Sequence, residues 1–176
     1  MRRVACLVAA SCFIGVSAGS QNQVPQTPKK LANGVYAILR DSLNEKDVLP
    51  LKDKEALVVH QHRYLKKDDK EPPRYLVVRS TPDVDLDLVE SPKAVKEGEE
   101  VVRILLKLRP KAAVALERLT SDRLGQQITI VLGGEVVTMH KIREIIKGGE
   151  VQITSCAAGA ANYLLEQLQN QHKKER

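Results

Sequence analysis

LTSDRLGQQITIVLGGEVVTMHKIREIIKGGEVQITSCAAGAANYLLEQL, residues 119–168, places two double-glycine turns and three short strands between two helices. A helix running to Gly125 precedes Gln127-Ile128-Thr129-Ile130-Val131-Leu132, whose composition is that of a strand. Gly133-Gly134 supplies the positive φ of a tight two-residue turn, and Glu135-Val136-Val137-Thr138-Met139 returns as the second hairpin strand. Lys141-Ile142-Arg143-Glu144-Ile145-Ile146 leads to a second break at Gly148-Gly149. Val151-Gln152-Ile153-Thr154 reads as a further strand, and Ala157 to Leu168 as a helix.

Upstream, Pro110 sits at a helix start and Lys111 to Leu124 carries Ala112, Ala113, Leu116 and Leu119 at helical spacing. Val101-Val102-Arg103-Ile104-Leu105-Leu106-Lys107-Leu108 is the most apolar strand candidate, set off by Gly98. Asp83-Val84-Asp85-Leu86-Asp87-Leu88 alternates acid with apolar, the pattern of an exposed edge strand. Val35 to Leu39, Ala56 to Tyr64 and Arg74 to Val78 are three more strand-like runs, expected to form a small meander closed by the charged loop Lys66 to Pro73. The expected fold class is α+β, a mostly antiparallel sheet with helices packed on one face, in a single domain over residues 34–170 followed by a charged tail, 171–176.

The order and spacing of Leu119-Thr120, Gly125, Ile130-Val131-Leu132-Gly133-Gly134, Val136-Val137, Ile142-Arg143, Ile146, Gly148-Gly149 and Gln152-Ile153 resemble the head subdomain of the first periplasmic domain of the SecD protein-export family. The resemblance covers about fifty residues and reaches back toward Val101. It departs from the family pattern at Gly133, where an Asp is usual at the hairpin tip, and at Lys141, where Pro or a small residue is usual. The resemblance implies a periplasmic-head-like fold and a surface that contacts emerging polypeptide. It does not carry over the family's proton-driven motor, which depends on membrane helices.

The chain opens on Arg2-Arg3, an apolar run from Val4 to Val16 and the small residues Val16-Ser17-Ala18, the layout of a signal peptide over residues 1–18. That run is shorter than the roughly 20 residues needed to span a bilayer core. Residues 19–33, polar and carrying Pro25 and Pro28, read as a flexible leader. Cys12, after Ala9-Ala10-Ser11, distantly resembles a lipoprotein cleavage box and is a candidate lipid anchor. The expected location is the periplasm or cell envelope. Cleavage after Ala18 would remove Cys6 and Cys12 and leave Cys156 as the lone thiol, so no disulfide framework is expected.

The formal charge is +6, from 28 basic and 22 acidic residues, and loss of Arg2 and Arg3 would make it +4. The four tyrosines are scattered and there is no Trp, so the chain lacks the stacking platform of a single-strand nucleic-acid binder. His60 and His62 share one face of a strand and could present two metal ligands, but nothing nearby completes a set. His140 with Cys156 is a conceivable base and thiol without an orienting third residue. Asp83, Asp85 and Asp87 lack the Gly and Glu positions of an EF-hand, since Leu88 and Ala94 stand there. The glycine pairs do not open a helix as phosphate loops do.

No catalytic, cofactor or metal residue is nominated, and the expected function is a non-catalytic module that binds protein or unfolded polypeptide. Two physical routes suggest themselves: an exposed strand edge and the basic loop Lys141 to Lys147. The alternatives are an extracytoplasmic thiol- or metal-dependent hydrolase and a structural envelope adaptor.

Overall fold

The computed structural model describes residues 30–61, 71–97, 101–155 and 158–174. The expected signal peptide, Cys12, His62 and Cys156 lie outside them. In chain order the elements are β1 (Gly34–Ala37), β2 (Arg40–Ser42), a short 3-10 turn (Glu45–Val48), β3 (Glu55–His60), β4 (Arg74–Arg79), β5 (Val84–Asp85), β6 (Lys93–Glu97) and β7 (Val101–Lys107). They continue with α1 (Pro110–Asp122), β8 (Gln127–Leu132), β9 (Glu135–Lys141), β10 (Glu150–Ser155) and α2 (Ala158–Lys174). The fold is α+β and every strand pairing among the described residues is antiparallel.

The strands form three sheets, ordered β5-β1-β8-β9, β10-β7-β6 and β2-β4-β3. The first is the middle layer. Because neighbouring residues of a strand face opposite ways, β1 sends Val35 and Ala37 into a core shared with the helices and Tyr36 and Ile38 into a second core on the far side. On β8, Ile128, Ile130 and Leu132 join the first core and Val131 the second. Thr129, fully buried between them in sequence, donates its hydroxyl to the carbonyl of Thr138 at 2.8 Å. The nearly unbroken apolar run 128–132 thus reflects burial on both faces. A register shift between Ile130 and Val131 leaves Val137 in the helix-side core.

The expected meander of the first three strand-like runs is corrected here. The run from Val35 leaves its neighbours and pairs with Ile128 to Val131, some ninety residues on, while β2 takes the place beside β4. An apolar run records that a strand is buried, and says nothing of which strand it lies beside.

The helix-side core is filled by Val102, Ile104 and Leu106 of β7, by Leu116 and Leu119 of α1, and by Ala161, Leu164 and Leu168 of α2. The spacing of three and four in each helix marks one apolar stripe. Across the middle sheet, Leu76 and Val78 of β4 close the second core with Leu31, Tyr36 and Val136. The fully buried Tyr36 donates its hydroxyl to the Ala32 carbonyl at 2.7 Å. Burial, reinforced by Asp85 and Asp83, pushes its pKa up to about 12. Leu31 and Asn33, at the end of the segment expected as leader, are both engaged, Leu31 in this core and Asn33 through its Oδ1, which accepts the Gly133 N–H at 2.7 Å.

Candidate interaction surface

The segment from Ile142 to Gly149 has no regular structure, yet its backbone is held at both ends against α1. Gly125, at φ +81°, ends the turn after α1 and donates its N–H to the Ile142 carbonyl at 2.9 Å, and the Ile142 N–H returns to the Gln126 carbonyl at 2.8 Å. Thr120 is completely buried. Its hydroxyl donates to the Leu116 carbonyl at 2.9 Å and accepts the Ile146 N–H at 3.0 Å, so one side chain satisfies a loop amide that no strand could. At the far end Gly149 adopts φ +72° and donates its carbonyl oxygen as acceptor to the Leu108 N–H at 2.9 Å. A Cβ on Gly149 would stand 2.5 Å from the Cβ of Ala113, so only glycine allows the loop to lie this close to α1.

Ile142 is buried and Ile146 packs against the core, so the alternate residues face outward. Lys141, Arg143, Glu144, Ile145 and Lys147 are all exposed, with Ile145 at 41%. Leu124, immediately before Gly125, is 56% exposed, and Val114 on the outer side of α1 is 67% exposed. The loop therefore carries three cations against one carboxylate, with branched apolar side chains among them, on a backbone fixed by hydrogen bonds. Such a surface can attract acidic groups at long range and bury aliphatic side chains on contact.

The other positions singled out in the sequence are placed as follows. His60 is buried at the end of β3, and its proposed companion His62 lies outside the described residues. His140, read as a loop residue, is on β9 opposite Ile128, with Nε2 2.8 Å from Thr138 Oγ1. Desolvation of its ring lowers its pKa from the ordinary histidine value, although the residue as a whole is exposed. Its proposed partner Cys156 lies outside the described residues.

The acidic alternation is a fold element. Val84, Leu86 and Leu88 are buried, and β5 forms the edge of the middle sheet. Asp83 accepts the Ala37 N–H at 2.8 Å and pairs with Arg79 at 2.7 Å, while Asp87 pairs with Arg109 at 2.9 Å. Gly133 and Gly134, at φ +61° and +83°, form the hairpin tip. The Asp usual at the first of these positions is among the non-glycine residues that tolerate this region, so the departure at Gly133 preserves the turn. No group of three His, Cys, Asp or Glu side chains gathers around a metal-sized space among the described residues.

Sequence reasoning missed the roles of Thr120, Leu124 and Ile145. A signal for the last two exists: Leu124 stands just before a helix-ending glycine, and Ile145 breaks the spacing of its buried neighbours Ile142 and Ile146.

None of the curated proteins matches the chain. Two solved structures are similar to it. One, described as "Structure and function of a membrane component SecDF that enhances protein export", shares 21% identity with a TM-score of 0.47, covering 78% of this chain and 62% of that one. The other, "Crystal structure of SecDF in Super-membrane-facing form", shares 19% identity with a TM-score of 0.49, covering 80% of this chain and 18% of that one. The chain thus spans less than two thirds of either solved chain. Residues 60–170, well over half of the sequence, match the family described as SecDF, P1 head subdomain, and the chain belongs to that family.

Proposed function

We propose that this chain is a non-catalytic polypeptide-binding module associated with protein export, acting outside the cytoplasm, and that the loop 141–147 with Leu124 is its contact surface. The observation that carries the reading is the display of Lys141, Arg143, Lys147, Ile145 and Leu124 from a backbone pinned by Thr120 and the Gly125–Ile142 bonds. This loop lies within the span shared with the family. A surface ordered beforehand loses little conformational entropy on binding, which favours contact with an extended chain that must itself become ordered. Mixed cations and aliphatic groups suit weak, sequence-tolerant contact with acidic and apolar stretches of an unfolded protein.

Among the described residues no helix is long and apolar enough to cross a membrane, and the proposed role is binding alone. The signal peptide over residues 1–18 and lipid attachment at Cys12 belong to the same reading. Mass spectrometry of the chain recovered from an exporting cell is expected to show loss of residues 1–18, or a lipid mass on Cys12. The intact, unmodified chain would contradict both.

The test of binding is fluorescence anisotropy of a labelled, permanently unfolded polypeptide titrated with the full chain. Ile145→Asp, and separately Lys141→Gln with Arg143→Gln and Lys147→Gln, are each expected to weaken binding about tenfold while circular dichroism stays unchanged. Binding that ignores both substitutions would remove the loop from the account, and no binding by the native chain would remove the function.

A further inference from the structure

The sheet β10-β7-β6 ends in a strand that nothing in the described chain covers. Lys93, Ala94, Val95 and Lys96 are all exposed, including Ala94, which belongs to the helix-facing side of the sheet through its pairing with the fully buried Ile104. An edge strand with open backbone groups is a template for another strand. From this edge and its residue pattern we infer that β6 is a self-association site, where a second copy of this chain pairs antiparallel through the same strand and joins two three-stranded sheets into one of six.

The residues of β6 select both the occupant and the register. In the pairing with β7, Lys93, Val95 and Glu97 align with Leu105, Arg103 and Val101 and so share the outward side, whereas Ala94 and Lys96 align with Ile104 and Val102 on the helix side. A two-fold axis perpendicular to the sheet keeps outward residues outward, so a strand meeting its own copy must be centred on a residue. Centring on Val95 sets Val95 against Val95, Lys93 against Glu97 at both ends, and Ala94 against Lys96. Centring on Lys96 would set a lysine against a lysine, and centring on Ala94 would leave Lys93 against Val95. Only the Val95 register combines apolar contact with two opposite-charge pairs, the arrangement that favours cross-strand association.

The outward face extends the argument. Val95 is 46% exposed and Leu105, on the neighbouring strand, is 40% exposed. Two copies would bring both pairs into one apolar strip spanning the joined sheet. Lys93 is held at 2.9 Å by Glu90, but both side chains are at least half exposed, and an exposed pair of this kind is readily exchanged for a partner across a strand. The lysines at this edge would otherwise discourage indiscriminate pairing, so the same residues that exclude strangers specify the copy. An acidic extended peptide would meet Lys93 and Lys96 favourably but would face Glu97, which a second copy turns to advantage.

The test is sedimentation velocity of the full chain under reducing conditions, at concentrations up to on the order of 1 mM, the range of a small interface. A monomer–dimer equilibrium is expected. Lys93→Glu alone and Glu97→Lys alone, each creating like-charge pairs at both ends, are expected to weaken the dimer about tenfold or more, and the double exchange is expected to restore it to within about threefold. Circular dichroism of each variant checks the fold. A chain that stays monomeric, a dimer indifferent to the single exchanges, or a double exchange that fails to restore it would each overturn the proposal. This site is separate from the loop 141–147, so failure here leaves the polypeptide-binding reading standing, and failure there leaves this one.

Discussion

The two faces of the middle sheet are built at different scales. Toward the helices, twenty-one buried residues from eight elements and the segments between them form one cluster, whereas toward β2-β4-β3 only seven do, Tyr36 among them. The larger side is made almost entirely from residues within 60–170, the span shared with the SecDF P1 head family, yet it also takes Val35 and Ala37 from β1. The smaller side draws Leu31, Tyr36 and Ile38 from before that span. Strand β8 contributes to both. The difference teaches that the family region supplies the helices and the working loop, while a strand from outside it completes the sheet on which they rest.

The sharpest way to break this comparison is to hollow out each side in turn. Leu116→Ala on the helix side and Leu76→Ala on the other, both in fully enclosed positions, are each expected to cost about 2–5 kcal/mol. Urea unfolding should remain a single transition in both variants, because β1 and β8 tie the cores together. Two separate transitions would show that the sides fold independently.

A smaller effect separates the two glycines that end the loop. Gly149→Ala combines strain at φ +72° with a collision against Ala113 and is expected to cost about 2–3 kcal/mol. Gly148→Ala meets open space and carries only the backbone strain at φ +74°, about 1 kcal/mol. Equal losses in thermal unfolding would mean that the close approach to α1 is unimportant.

The smaller core has its own signature in alkali. Tyr36 ionises near pH 12 in the folded state against about 10 in an unfolded chain, so the folded state holds its proton longer. The resulting stability is fully present below about pH 10 and is lost as pH rises toward 12, about 2–3 kcal/mol in total. Tyr36→Phe should flatten that limb of the pH–stability curve, and an unchanged limb would assign the loss elsewhere.

The smallest expected effect is at the loop clamp. Thr120→Val leaves the Ile146 amide without its acceptor and is expected to cost about 1–2 kcal/mol, while Thr120→Ser should recover most of it. Chemical denaturation of the pair decides whether the hydroxyl or the methyl matters.

How much of this was legible in the sequence follows the same division. The helix, hairpin, strand and helix of residues 110–168 lie where periodicity and paired glycines put them, because each depends on neighbours close in the chain. Alternation at 83–88 foretold an edge strand with buried Val84, Leu86 and Leu88, but its aspartates proved to be partners of Arg79, Arg109 and a backbone amide. The partner of β1 was illegible, since strand composition does not encode a match ninety residues away. So was β6: with Val95 alone as a large apolar residue, Lys93 to Glu97 shows no period, as suits a strand with one neighbour. The basic character of the loop was plain from its lysines and arginine. Its rigidity was not, because it rests on one buried threonine hydroxyl and one close glycine.

The most direct measurement is amide hydrogen exchange of the full chain with and without an unfolded polypeptide. Binding at the pinned loop predicts added protection across residues 141–147 and around Leu124, with the 43–54 loop on the other side of the molecule unchanged. Protection confined to the 43–54 loop or to the β6 edge, or none anywhere, would contradict the assignment of the loop as the working surface.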